Sequence, residues 1–200
     1  MPHTTEQSLN AAQDAATELP NDVSTTFKAA DAFTAQHEGG VTRNDGNKGI
    51  AAFGIDQKAH PNIDVTKISP ERAQAMRYEY WRAIGGDALA KQSPALATAA
   101  YDTAIMSGPD RSKQFLAKAG GDPEKFQTQR EEFFHKLEKQ PTYRGATAGW
   151  ENRNRDLRAE IAKNKGPDRI AQAQQPHDPP QKLNKYVQLT PNQRLKNRYT

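Results

Sequence analysis

Two hundred residues, 34% of them hydrophobic, with a net charge of +4 and a mean hydropathy of −0.97, suffice for one compact domain with polar extensions, since domains commonly run to roughly 100–150 residues. The absence of cysteine excludes disulfides and thiolate metal sites, and His3, His37, His60, His135 and His177 show no metal-ligand spacing. Nucleic acid is not expected as a partner, because the basic residues of the middle of the chain are interspersed with acids and form no dense phosphate-binding patch.

Residues 1–24 carry Glu6, Asp14, Glu18 and Asp22 without a single Lys or Arg. They are expected to form an N-terminal arm, weakly helical over Asn10–Leu19 and closed by Pro20. Met1 to Leu19 has neither a basic leader nor an apolar run, so no signal peptide is expected. No membrane span is expected either, since nowhere do about 18 apolar residues follow one another. At Ser24 a helix cap appears. Phe27, Ala30, Phe33 and Thr34 then share one face of a helix that should stop at Gly39-Gly40, with Glu38 in its last turn.

From Val41 to Ile55 the helical period vanishes. Arg43-Asn44-Asp45-Gly46 followed by Ala51-Ala52-Phe53-Gly54-Ile55 reads as a small β-hairpin. Ser69-Pro70 and Ser93-Pro94 each supply an N-cap with proline at the first helical position, opening helices to about Ile84 and to Gly108. A shorter helix over Asp110–Ala119 ends at Gly120-Gly121. Asp122-Pro123 then caps a longer one with a stripe of Phe126, Phe133 and Leu137, and Trp150, Leu157 and Ile161 repeat that spacing in a last helix. After Gly166-Pro167 the sequence turns to Gln, Pro and Asn, and residues 171–200 carry five basic residues against Asp178 alone. Such a tail cannot build its own core; with Tyr186, Val187, Leu189 and Tyr199 it suits docking to a partner, and a solvated tail fits equally. The fold class is therefore mainly α, with one small hairpin and extended tails at both ends. The divisions are a 1–24 arm, a 25–120 domain, a 121–165 helical region and a 166–200 basic tail.

Glu38 has the setting of a general acid. Free carbonyls at a helix C-terminus disfavour an ionised carboxylate, and packing near Phe33 and Phe53 would desolvate it. Gly39 and Gly40 let the backbone turn sharply and leave room for a polymer. Taken alone, a Glu before two glycines is usually an ordinary solvated helix end. Asp45 offers a second carboxylate seven residues on, or is simply a turn residue. Tyr80, Trp81, Tyr101 and Trp150 can stack on sugar rings or belong to the core. Asp102 is charged within an apolar run, Ala99 to Ile105, and either binds substrate or pairs with an arginine of a neighbouring helix.

Several of these motifs in this order resemble one family. Ala32-Phe33 through Glu38-Gly39-Gly40, Phe53-Gly54-Ile55, Tyr78-Glu79-Tyr80-Trp81, Gly86-Asp87-Ala88-Leu89, Tyr101-Asp102 and Ser107-Gly108 are similar to the lysozyme-like N-acetylmuramidases of glycoside hydrolase family 108. Arg130-Glu131-Glu132-Phe133-Phe134, Pro141-Thr142-Tyr143 and Gly149-Trp150-Glu151-Asn152-Arg153 resemble the helical region that follows in that family and is regarded as peptidoglycan-binding. The resemblance, over about residues 27–158, implies a lysozyme-like fold with Glu38 as the acid. Asp45 is a possible second catalytic carboxylate, and Gly39, Gly40, Phe53, Tyr80, Trp81, Tyr101 and Asp102 are possible substrate contacts. The substrate implied is the β-1,4 bond between N-acetylmuramic acid and N-acetylglucosamine in bacterial peptidoglycan, with no metal or cofactor.

Two departures bear on activity. The family's Asp-Pro-Gly-Gly-x-Thr segment reads Gly46-Asn47-Lys48-Gly49-Ile50-Ala51, so the threonine hydroxyl is missing, and the Asn before Ser/Thr-Gly is Met106, which cannot hydrogen-bond an acetamido sugar. The expected role is a wall-breaching muramidase of a phage particle or an endolysin, found in the virion or in the host cytoplasm before release. Its tails would dock phage structural or ejection proteins. The alternative is a catalytically impaired lysozyme-fold structural or glycan-binding protein.

Overall fold

The structure is a computed structural model that describes residues 6–38, 49–143 and 147–164. Its elements are α1 (Glu6–Ala15), α2 (Thr25–His37), β1 (Ala51–Ala52), β2 (Ile55–Asp56), α3 (Pro70–Ala83), α4 (Gly86–Gln92), α5 (Pro94–Ser107), α6 (Pro109–Ala119), α7 (Pro123–Glu138) and α8 (Thr147–Lys163). Among the described residues the fold is mainly α with one two-stranded antiparallel hairpin, consistent with a lysozyme-like domain.

The helix starts follow local chemistry. The side chains of Ser24, Ser69, Ser93 and Asp122 accept hydrogen bonds from the backbone N–H groups of Phe27, Arg72, Leu96 and both Glu124 and Lys125, respectively. Each satisfies donors that the first helical turn leaves free. Proline opens α3, α5 and α7, where its missing N–H costs nothing. Helix α4 escapes sequence reading because seven residues behind a glycine cap are too few to show a period.

The central element is α5, buried continuously from Ala95 to Ala104. A helix apolar all round belongs in a core, and its alanines let α2, α3, α4, α6, α7 and α8 pack against it. Phe27 of α2, Trp81 of α3 and Tyr101 of α5 meet edge to face, with centroids 5.6–5.8 Å apart. A second, smaller core of Ala52, Ile55, Val65, Ile68, Ala73 and Met76 lies under the hairpin.

Two sequence expectations change. Residues 6–24, read as an arm, lie against the domain: α1 packs on α3, Leu9 and Gln13 are buried, and Val23 joins the main core. The turn between β1 and β2 is Phe53-Gly54, with φ of 51° and 82°, within the run read as a hairpin; Asn44-Asp45-Gly46 lies outside the described residues. Positive φ at both central residues is what a tight hairpin needs, and Phe53 bears the strain because Arg77 Nη1 donates to its carbonyl at 2.8 Å. The buried face of α7 is Phe126, Gln127, Arg130 and Phe134, whereas Phe133 and Leu137 are only half-buried. The tail 166–200 lies outside the described residues.

Candidate active site

Glu38 ends α2. Its own N–H bonds to the Thr34 carbonyl while its backbone turns to φ −88°, ψ 91°, so the side chain leaves the helix axis just where the chain departs. The side chain is 21% exposed. Oε1 accepts from Arg153 Nη1 of α8 at 2.6 Å. Against the other side lies the hairpin turn: a methyl group placed on Gly54 would stand 3.1 Å from Glu38 Cγ and 3.3 Å from Oε2. Among the described residues, Oε2 has no hydrogen-bond partner. The apolar surroundings expected from the sequence are thus replaced by a guanidinium, and the Phe33 ring packs on His37, with centroids 4.9 Å apart.

Arg153 is itself held. Its Nη2 donates to Asp102 Oδ1 at 2.7 Å and its Nε lies 3.0 and 3.1 Å from the two Asp102 oxygens. Asp102 also accepts from Thr34 Oγ1 at 3.0 Å and from Arg130 Nη2 at 2.7 Å. Arg130 Nη1 closes the circuit on Asn154 Oδ1, next to Arg153. Burial pushes the Asp102 carboxyl up, but the Arg153 and Arg130 guanidiniums outweigh it and hold the group below the ordinary carboxylate range. Burial brings Arg130 down to about 10 despite Asp102. For Arg153, burial is overcome by Asp102 and Glu38, which raise it further above its ordinary value. On the rim, His37 Nε2 lies 3.8 Å from Asp156 of α8, and burial together with Arg153 pushes the imidazole below its usual value.

A second buried network holds the hairpin. Asp31 of α2 accepts from Arg77 Nε at 2.7 Å and Nη2 at 2.9 Å, from Tyr101 Oη at 2.7 Å and from Gln74 Nε2 at 2.9 Å. The third nitrogen of the same guanidinium grips Phe53. Asp31 and Arg77 therefore fix the turn that brings Gly54 onto Glu38.

This geometry places the sequence-derived candidates in two groups. Glu38 is reachable, and Phe53 and Tyr80 are half-buried, although the Tyr80 hydroxyl lies against Gln13 of α1. Trp81, Tyr101 and Asp102 are fully buried and present no surface to a sugar. Trp81 Nε1 donates to Asp87 at 2.9 Å, Tyr101 is spent on Asp31, and Asp102 takes its other reading, a pair with arginines of neighbouring helices. Gly39, Gly40 and Asp45 lie outside the described residues. Met106 is absorbed by the same network, its sulfur 2.9 Å from Arg130 Nη2. Ala51 is buried in β1, paired with Asp56.

Residues 32–108, from α2 through the hairpin to the end of α5, match the model of the glycosyl hydrolase 108 family. Over this segment the chain is similar to that family. The match encloses Glu38, Gly54, Arg77 and Asp102 but stops before Arg130 and Arg153. The match supports a glycosidase acting on peptidoglycan. No curated protein and no solved structure matches the chain. Among the described residues, no helix is long and apolar enough to cross a membrane.

Sequence reasoning missed Arg130 and Arg153, though a signal was present. Arg153 stands four and eight residues before Leu157 and Ile161, and Arg130 stands four from both Phe126 and Phe134. A charge on the apolar face of a helix must be paired inside.

Proposed function

We propose that the protein cleaves the β-1,4 bond between N-acetylmuramic acid and N-acetylglucosamine, with Glu38 as the general acid. The observation that carries this is the state of the Glu38 carboxylate. One oxygen is fixed by Arg153, while the other has no hydrogen-bond partner among the described residues and faces the bare backbone of Gly54. Protonated at Oε2, Glu38 gives its proton to the glycosidic oxygen as the C1–O bond breaks and its electron pair passes to that oxygen. The oxocarbenium ion is captured by water, whose proton goes to a base. Asp45 is proposed as the second carboxylate on sequence grounds. The opposite charges of residues 1–24 and 171–200 support a role in a phage particle over one as a free endolysin.

Turbidity loss of purified cell walls tests the assignment. Glu38→Gln removes one proton and little volume, so lysis should fall on the order of 10²–10⁴-fold with the fold intact. Residual lysis near the native rate would remove Glu38 as the acid. Asp45→Asn should cost much less if one carboxylate is essential; an equal loss would establish a two-carboxylate mechanism.

A further inference from the structure

The polar contact on the Glu38 carboxylate comes from α8, a helix 115 residues away in sequence and outside the family segment. Arg153 reaches it with a guanidinium already locked in plane. One edge of the fork, Nε and Nη2, is taken by Asp102, which leaves Nη1 aimed at Glu38 Oε1. Asp102 cannot drift, because Thr34 and Arg130 hold its two oxygens from α2 and α7. Thr34 also accepts the Glu38 N–H through its carbonyl. The backbone and the carboxylate of Glu38 are therefore both referred to Asp102. Arg130, Asp102 and Arg153 are nearly or fully buried, so their charges act in a medium that screens them little.

The charges also matter to a proton donor. Two guanidiniums face Asp102 and Glu38, and the set is balanced when Glu38 is a carboxylate. An acid reaches that state as its proton leaves. A fixed cation on Oε1 is then worth more in the transition state than before it, which speeds the chemical step without tightening substrate binding.

Resting on the reading of Glu38 as the acid, we infer that Arg153 is its positioning residue. Anchored on Asp102, it aims the carboxylate and stabilises the charge that Glu38 acquires on giving up its proton. Helix α8 belongs to the catalytic unit as well as to any wall-binding surface.

The test uses the full chain with Arg153→Met, Arg153→Lys and Glu38→Gln, on solubilised peptidoglycan strands, with thermal melting followed by circular dichroism. Arg153→Met should lower kcat by about 10²-fold with KM within about twofold of native. Arg153→Lys, which keeps the charge but not the fork, should recover roughly a tenth of native kcat. A purely structural group would instead lower the folded fraction, and the rate per folded molecule would stay native. The inference is overturned if both variants fold and keep kcat within threefold, if KM rises while kcat holds, or if neither variant folds. Glu38→Gln separates the two levels. If it stays active, the acid assignment falls and this role with it. If it is inactive while the Arg153 variants keep kcat, only the role of Arg153 falls.

Discussion

Single atoms at Gly54 and Gly86 decide whether neighbouring groups fit. Gly54 combines a φ of +82° with contact on Glu38, so Gly54→Ala is strained in the turn and crowds the carboxylate at once. The expected loss is about 1 kcal/mol or more of stability, measured by urea unfolding, with a fall in wall lysis larger than the loss of folded protein explains. Gly86 lies flat under the Trp81 ring, where an added methyl would stand 2.2 Å from Cδ2. Since Trp81 is fully buried and tied to Asp87, it cannot step aside. Gly86→Ala should cost about 1–3 kcal/mol through overpacking, and a native melting curve would contradict the packing. His37 gives a pH signature. Its folded value lies below the ordinary 6.5, so between the two values the unfolded chain binds more protons and stability rises with pH up to about 6.5. Urea unfolding from pH 5 to 7 should show this rise in the native chain and a smaller one in His37→Gln.

Among the elements, α1 and α8 carry more than their sequences suggest. Helix α1 looks like a polar extension, yet it buries Leu9 against α3, donates from Gln13 Nε2 to the Met76 carbonyl at 3.2 Å, and sets Asp14 2.6 Å from the buried His60. Removing residues 1–16 should therefore lower stability by at least about 2 kcal/mol, the worth of one buried leucine. An unchanged urea midpoint would return the segment to the status of an arm. Helix α8 caps the circuit of Asp102 and Arg130 while Leu157 and Ile161 complete the main core. It joins the folding unit through burial and the candidate site through charge.

At the scale of the whole molecule, two buried ionic networks span the helices that frame Glu38. One, on Asp102, joins α2, α5, α7 and α8; the other, on Asp31, joins α2, α3, α5 and the hairpin turn. The Asp102 carboxyl is held below its ordinary value, so the stability it confers is complete above about pH 4 and is lost as pH falls towards the folded value. Asp102→Asn should be less stable by about 3–5 kcal/mol at pH 7, because it leaves two buried guanidiniums undercompensated. It should also lose less stability than the native chain between pH 5 and 3. A parallel acid response in the two proteins would show that Asp102 is not part of the acid transition.

The sequence by itself determined the mainly α class, the capped starts of α2, α3, α5 and α7, and the place of Glu38 at a helix end, because caps, prolines and apolar period act over three to seven residues. Apolar pattern also marked Trp81 and Tyr101, but whether an aromatic faces a sugar or the core depends on the opposing helix; the tertiary structure buried both. The same holds for Asp102, whose two readings from sequence were separated only when α7 and α8 brought Arg130 and Arg153 to its oxygens. The docking of α1, the turn at Phe53-Gly54 and the guanidinium on Glu38 were likewise settled by long-range contacts. A charge buried on one helix finds its partner on another, and no local pattern carries that partner's position.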